Sequence, residues 1–458
     1  MEQTTTIFDK LASLFDHKPV PEPGLYHYRR EDDHEKKRLH LRIEPNGSGL
    51  LVINASRMVQ LNPSATMMAY MHLEEVDSKQ AGRVIHRHFR IPASEARHDY
   101  QDFCLQIERL LKPETTCPVC DLDLEINAPF SARPSAPYRM DLAITYRCNN
   151  DCTHCYNARS RRFPEISISE WKQIIDKIWS LSIPHIVFTG GEPTLYTGLP
   201  ELIAYAEEKG LITGLNTNGR KLANPGFLAE LVNAGLDHVQ ITFESHDQEI
   251  HNQMVNARDA WEETATGLKN VLDTRLFVMT NTTLLTHNQS SLQETLAYLA
   301  DLGVPTVGLN ALIYAGKGEV VGTGLREEDL PDLLEEARTF TQSRGQRLIW
   351  YTPTQYCHFN PMQLDLGVKG CTAALYNMCI EPNGDVIPCQ SYYQSLGNFL
   401  SSTWSDIWEH PLALQLRDRT DVPQGCQSCE YLPECGGGCP LARGHQTINP
   451  IQNPIFST

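Results

Sequence analysis

Residues 146–157, YRCNNDCTHCYN, place Cys148, Cys152 and Cys155 within eight positions. Thiols this close fit a disulfide hook, part of a zinc site, or three corners of an iron–sulfur cluster. A closed zinc site needs four ligands. His154 is the nearest fourth, but it lies between Cys152 and Cys155, an awkward bite. Three thiolates on a [4Fe–4S] cluster leave one iron open. An open coordination position marks a working site rather than a purely structural one.

The surroundings favour the working site. The triplet follows the strand-like MDLAITY (140–146), and five more strand candidates come after it: HIVFTG (185–190), ITGLNTN (212–218), HVQITFE (238–244), FVMTNTTLL (277–285) and TVGLNALI (306–313). Helical patterns lie between them, as in SISEWKQIIDKIWSL (167–181) and LPELIAYAEEKG (199–210). Repeated strand–helix units imply parallel strands joined by right-handed crossovers. Six such units predict an open, partial (β/α)6 TIM-like barrel of the α/β class, with ligands at the carboxyl ends of its strands. The second strand ends in Gly190, Gly191, Glu192 and Pro193. The glycines allow close approach of a ligand to the backbone, and Glu192 is able to accept a hydrogen bond from an ammonium group. Taken alone this stretch reads as an ordinary strand-ending turn; one β–α unit after a Cys-x3-Cys-x2-Cys loop, it does not.

Composition narrows the function classes. The chain has 458 residues, which predicts two to four domains. Its formal charge of −17 argues against nucleic acid and anionic membrane surfaces as partners. No apolar run is long enough to span a bilayer, and the opening MEQTTTIFDK is not a signal peptide. Fourteen cysteines, mostly at short spacings, in a chain without an export signal predict metal ligation in a reducing, cytoplasmic compartment.

CNNDCTHC (148–155) and GGEP (190–193) together resemble the radical S-adenosylmethionine (radical SAM) enzymes, over roughly residues 137–345. The resemblance implies that Cys148, Cys152 and Cys155 hold a [4Fe–4S] cluster. It implies that the amino and carboxylate groups of S-adenosylmethionine chelate the open iron, and that the Gly190–Pro193 stretch holds the methionine amine. Where the family has an aromatic residue before the last cysteine, this chain has His154, read as packing by the cluster. Thr242 and Glu244 stand where the family often has ribose-contacting Ser and Asp, and match in kind only. Asn216 and Asn218 end the third strand and are candidates to face the nucleoside, or turn residues.

The C-terminal cysteines are similar to the SPASM extension of peptide-modifying radical SAM enzymes, placed at 355–445. CTAALYNMCIEPNGDVIPCQ carries Cys371, Cys379 and Cys389, with a hairpin-like PNGD; CQSCEYLPECGGGC carries Cys426, Cys429, Cys435 and Cys439. The likeness implies two auxiliary [4Fe–4S] clusters, one on Cys371, Cys379, Cys389 and Cys439, the other on Cys426, Cys429 and Cys435. The family's last cysteine is absent after Cys439. The second cluster's fourth ligand is then His445, a distant residue such as Cys357, or nothing from the protein. Spacing alone also fits a pair of zinc knuckles. From about 355 the Cys- and Gly-rich composition predicts a core more inorganic than apolar.

Toward the N-terminus, residues 1–37 read as a polar, irregular extension. Residues 38–112 read as three short strands, with Pro63 after Asn62 starting the first of three helices, in a winged-helix-like α+β domain. The domain holds ten Lys/Arg against eight Asp/Glu, far from a DNA-binding stripe. Leu61, Asn62, Ser64, Ala65 and the HRHF helix end resemble a RiPP recognition element, the module that grips the leader of a ribosomally made precursor peptide as an added strand. Residues 113–136 read as a linker holding Cys117 and Cys120, which serve a metal or redox role or none; 446–458 read as a tail. Cys104, on an apolar helix face, reads as core.

The resemblance as a whole implies a cytoplasmic enzyme that uses a 5′-deoxyadenosyl radical to modify a precursor peptide, by thioether or carbon–carbon crosslinking. A flavodoxin- or ferredoxin-type protein would supply the electron. Epimerisation or excision would leave the same motifs. The rivals are a maturase of a folded protein or small molecule, and a non-enzymatic iron–sulfur sensor with a winged helix.

Overall fold

The computed structural model describes residues 20–31, 36–54, 57–110 and 133–445. Cys117 and Cys120, the residues before 20 and the tail lie outside them. The chain divides into two compact units, 1–128 and 129–458.

In the first unit, β1 (Gly24–Glu31), β2 (Lys36–Ile43), β3 (Gly49–Ile53) and β4 (Arg57–Leu61) form an antiparallel sheet in that order. Alternation sends Leu39, Leu41, Ile43, Leu51, Ile53, Val59 and Leu61 into one apolar core. Helices α1 (Pro63–Leu73), α2 (Ser78–Phe89) and α3 (Ala93–Leu110) follow, and Phe103, Ile107 and Leu110 of α3 enter the same core. The start at Asn62–Pro63 is borne out: the Asn62 side chain accepts from the Ala65 N–H at 2.9 Å, an N-cap with proline at the first helical position. The irregular extension expected over 1–37 is corrected at Gly24–Glu31, which pairs with β2 along its whole length. Its alternating Tyr26 and Tyr28 pack on the core, a signal masked by the charged residues that follow. Cys104 is half-buried beside the α2–α3 core.

In the second unit, seven strands run parallel in sequence order: β5 (Arg139–Thr145), β6 (His185–Gly190), β7 (Ile212–Thr217), β8 (His238–Thr242), β9 (Phe277–Thr283), β10 (Thr306–Asn310) and β11 (Arg347–Trp350). Helices α4 (Ile168–Ser180), α5 (Leu199–Lys209), α6 (Pro225–Asn233), α7 (Gln248–Val255), α8 (Ala260–Leu272), α9 (Leu292–Asp301) and α10 (Leu330–Ser343) connect them. Apolar positions of one sheet face, such as Leu142, Ile144, Phe188, Val239 and Leu309, pack on helix residues such as Trp171, Leu202 and Leu268. The six expected strands are all present, and β11 adds a seventh parallel strand past the expected boundary at 345.

The larger correction concerns the C-terminal segment. β12 (Asn377–Ile380) pairs in parallel with β5, and β13 (Asp385–Ile387) and β14 (Gly397–Asn398) extend the same sheet antiparallel. Met378, Ile380, Val386, Phe399 and Ile407 join the main apolar core. The segment after 355 thus folds on hydrophobic burial as well as on its cysteines, because the free edge of β5 offers it a template. The PNGD turn closes the β12–β13 hairpin, with the Gly384 N–H donating to Glu381 O at 2.8 Å.

Candidate functional site

At Thr145 the chain leaves β5 and runs to α4 through residues 146–167, the loop that carries the three cysteines. The end of α7, the segments after β7 and β10, and the loop's own Arg161 hold it. The Asp151 and Thr153 N–H groups donate to Val255 O and Met254 O at 3.0 and 2.9 Å. The Lys317 N–H, from the turn after β10, donates to Cys155 O at 2.9 Å. Arg161 reaches Cys148 O at 2.8 Å and Asp151 at 2.8 Å. Arg220, past β7, donates to Asn149 O at 2.6 Å and Asn150 Oδ1 at 2.8 Å. None of these charged residues was legible as part of the site; each resembles an ordinary surface charge.

The glycine stretch docks on the same loop. A Cβ on Gly190, at φ 140°, would lie 2.0 Å from Thr145 O; one on Gly191 would lie 2.4 Å from Arg147 O and 2.6 Å from Tyr146 O. The Gly191 and Glu192 N–H groups donate to Thr145 O and Arg147 O, both at 2.8 Å. What approaches these glycines is the backbone of the cysteine loop, so the two motifs form one structure.

The Glu192 carboxylate is buried and engaged within the protein. Its Oε1 accepts from Thr194 Oγ1 and Thr217 Oγ1, both at 2.7 Å, and from the Thr194 N–H at 3.1 Å; Oε2 accepts from the Asn218 N–H at 2.8 Å. Glu192 thereby ties the end of β6 to the end of β7 and caps the short turn opened by Pro193. The Asn218 amide donates to Asn149 Oδ1 at 2.7 Å, so it too braces the loop. Glu244 is fully buried. It holds His154 Nε2 at 2.9 Å and accepts the Thr283 N–H at 2.8 Å, so its carboxylate orients the imidazole between the last two cysteines. Asn216 and Thr242 are half-buried, on the sheet face opposite the core-packed Leu215 and Ile241. Asn281, directly beside Thr242, was not foreseen; its Oδ1 is buried with no hydrogen-bond partner among the described residues.

The donor set fits a cluster. The cysteines among the described residues are free thiols, which removes the disulfide hook. Burial pushes Cys148 up to about 11 and Cys152 well above the usual thiol range, and the thiols of the triplet raise one another further. Three mutually repelling buried thiols ionise together only around a cationic centre. The C-terminal cysteines repeat the pattern in two groups. Burial raises Cys371 to about 11 and Cys439 to about 12; Cys371 is raised further by Cys389, and Cys439 by Cys371 and Cys389. Cys379, driven well above its usual range by burial, also feels Cys389. Cys426 is raised by burial and by Cys435 and Cys429, among other thiols. His445 stacks its ring on Tyr314 at 4.5 Å. Among the described residues no group of three or more His, Cys, Asp or Glu converges on a single metal ion.

The geometry agrees with comparisons to known proteins. Residues 142–299 match the radical SAM superfamily, and residues 371–430 match SPASM, an iron–sulfur cluster-binding domain. The chain is 27% identical over 318 residues to the PqqA peptide cyclase of Bradyrhizobium diazoefficiens, covering 66% of this chain and 81% of that protein. It is 29% identical over 329 residues to the mycofactocin maturase MftC of Mycobacterium ulcerans, covering 67% and 84%. Among solved structures, Streptococcus suis SuiB bound to precursor peptide SuiA has the same fold, with a TM-score of 0.64 at 17% identity over 92% of this chain and 97% of that one. The loop that leaves β5 therefore lies in a radical SAM domain, and a SPASM domain is joined to the same sheet.

Proposed function

We propose that the protein is a peptide maturase that modifies a ribosomally made precursor by radical chemistry. The observation that carries this is the three-thiol loop at the carboxyl end of β5, in which the nearest candidate fourth ligand, His154, is held by Glu244 at 2.9 Å. Cys148, Cys152 and Cys155 would bind a [4Fe–4S] cluster with one iron open to S-adenosylmethionine. When bound, this pair supplies a 5′-deoxyadenosyl radical able to take a hydrogen atom from a substrate carbon. The chain's own work is positioning. Glu192 and Arg220 lock the loop to the ends of β6 and β7. The backbone at Gly190–Pro193 offers carbonyls to the methionine amine, since the Glu192 side chain is already engaged. Asn216, Thr242 and Asn281 present hydrogen-bonding groups at the strand ends for the nucleoside.

The curated relatives are a peptide cyclase and a maturase, and SuiB is seen with its precursor peptide; these names support a peptide substrate here. Residues 38–112, with their antiparallel sheet, would hold the leader. The edge strands β1 and β4 each pair with a single neighbour among the described residues, so a leader strand has main-chain groups to join. Tethering the leader makes entry of the core peptide nearly intramolecular. A thioether or carbon–carbon crosslink is the expected product, with a flavodoxin- or ferredoxin-type electron donor, in the reducing cytoplasm that suits free thiols. No helix among the described residues is long and apolar enough to cross a membrane.

The test is anaerobic incubation of reconstituted protein with S-adenosylmethionine, a reductant and a short peptide encoded beside the gene. The expected result is 5′-deoxyadenosine together with a peptide lighter by two hydrogens. Deoxyadenosine with an unchanged peptide would point to another substrate class, and its absence would sink the enzymatic proposal.

A further inference from the structure

The second C-terminal thiol group, Cys426, Cys429 and Cys435, offers three ligands to a cluster of four irons, and residues 440–458 hold no cysteine. The fold brings another candidate from upstream. After β11 the chain passes as residues 351–360 along this cysteine run. The Cys439 N–H donates to Pro353 O at 3.1 Å. The Tyr356 N–H donates to Cys435 Sγ at 3.3 Å, and Cys435 Sγ lies 3.6 Å from Thr354 O. At Gly438, with φ of 73°, a Cβ would sit 3.1 Å from the Gln355 nitrogen, a tight approach that glycine eases.

Cys357 stands on the turn of this strap. The turn is closed by the His358 and Phe359 N–H groups donating to Gln355 O at 2.8 and 2.9 Å. It is anchored by Glu327, which accepts the Gln355 N–H at 3.0 Å and meets His358 Nδ1 at 3.0 Å. Both residues next to Cys357 in sequence are thus fixed, one on Cys435 and one on Glu327, while Cys357 itself is exposed. His445, the other candidate, has its ring stacked on Tyr314.

We propose that Cys357 is the fourth protein ligand of the auxiliary cluster on Cys426, Cys429 and Cys435. This rests on the SPASM reading of those three residues. The consequence is chemical. A cluster with four protein thiolates has no iron left for substrate, so it serves electron transfer, and a substrate thiolate would have to be sought elsewhere.

The assignment is tested in the Cys148→Ala/Cys152→Ala/Cys155→Ala background, where auxiliary clusters are read alone by iron content, Mössbauer and EPR spectroscopy. Adding Cys357→Ala should remove about four irons per chain, and Cys357→Ser should retain the iron with a shifted EPR signal. His445→Ala should change neither. Full iron and an unaltered spectrum in both Cys357 variants, with iron lost in Cys426→Ala/Cys429→Ala/Cys435→Ala, would overturn the assignment. Iron loss in His445→Ala instead would also overturn it. Full iron in every variant, the triple C-terminal one included, would overturn the second auxiliary cluster itself.

Discussion

The cysteine loop after β5 is clamped from outside by the end of α7, by Arg220 past β7 and by Lys317 past β10, and from within by Arg161 on Asp151, whereas the run Cys426–Cys439 leans largely on its own turns. There the Cys429 N–H donates to Cys426 O at 3.1 Å and the Cys435 N–H to Tyr431 O at 2.8 Å. Gly436, Gly437 and Gly438 all take positive φ, at 64, 73 and 73°. They reverse the chain between two thiols that belong to different groups. Arg419 and Arg443 then tie off the carbonyls of Leu432, Pro433, Gly436 and Gly437. The first set is preorganised by strands and helices that bury an apolar core of their own. The second is a short-range structure in which bound metal replaces part of a hydrophobic core.

The difference can be broken or sharpened by experiment. Cys152→Ala should abolish 5′-deoxyadenosine formation while removing only about four irons per chain, read by product chromatography and iron analysis. Loss of the auxiliary iron as well would show that the two regions do not assemble independently. Next in size is the contact that joins the cysteine loop to the β12–β13 hairpin of the C-terminal segment. Arg159, from the cysteine loop, holds Glu381 of the β12–β13 hairpin with two bonds of 2.7 and 2.9 Å, and the Tyr146 hydroxyl donates to the same carboxylate at 3.1 Å. Glu381 is fully buried, so Arg159→Met strands a charge. The expected loss is about 3–5 kcal/mol in chemical denaturation. A neutral result would mean that water reaches the carboxylate.

Acid should act on the barrel by a comparable amount. Burial holds His238 and His251 down to about 4, so both are neutral in the folded state. The unfolded chain takes up protons first, near the ordinary histidine value of about 6.5. Stability is therefore full above that value and falls as the pH drops toward about 4, by an amount on the order of 3 kcal/mol per histidine. His238 faces His185 at 2.8 Å, and His238→Gln should flatten the decline in denaturation midpoint between those two pH values. The smallest change belongs to the C-terminal turns. Gly437→Ala forces alanine into the left-handed region at φ 73° and should cost about 1 kcal/mol, seen as faster iron release to a chelator with deoxyadenosine formation intact. Equal damage to both would erase the contrast between the regions.

Much of this was legible in the sequence because its signals are local. The six central strands end within three residues of where alternation and the intervening helices put them, and the two motifs fall where a barrel would carry its ligands. Three kinds of feature were not legible. β11 and β12 are four-residue strands that exist only through partners far along the chain, such as Met140 opposite Met378. Glu192 and Glu244 read as ligand contacts because carboxylates near a cofactor motif invite that reading; nothing local shows that Thr217 and His154 already claim them. Cys357 was named among the candidates but not singled out, because it stands alone in sequence and no spacing rule reaches it.

The pairing of β12 with β5 carries one more consequence. The strand that launches the radical-generating loop would be a bare sheet edge if residues 371–445 were cut away. Such an edge is a template for joining other chains. A shortened protein ending near 350 is thus expected to clump rather than survive as a minimal catalyst, and the C-terminal domain acts as a built-in guard against self-association as well as a holder of metal.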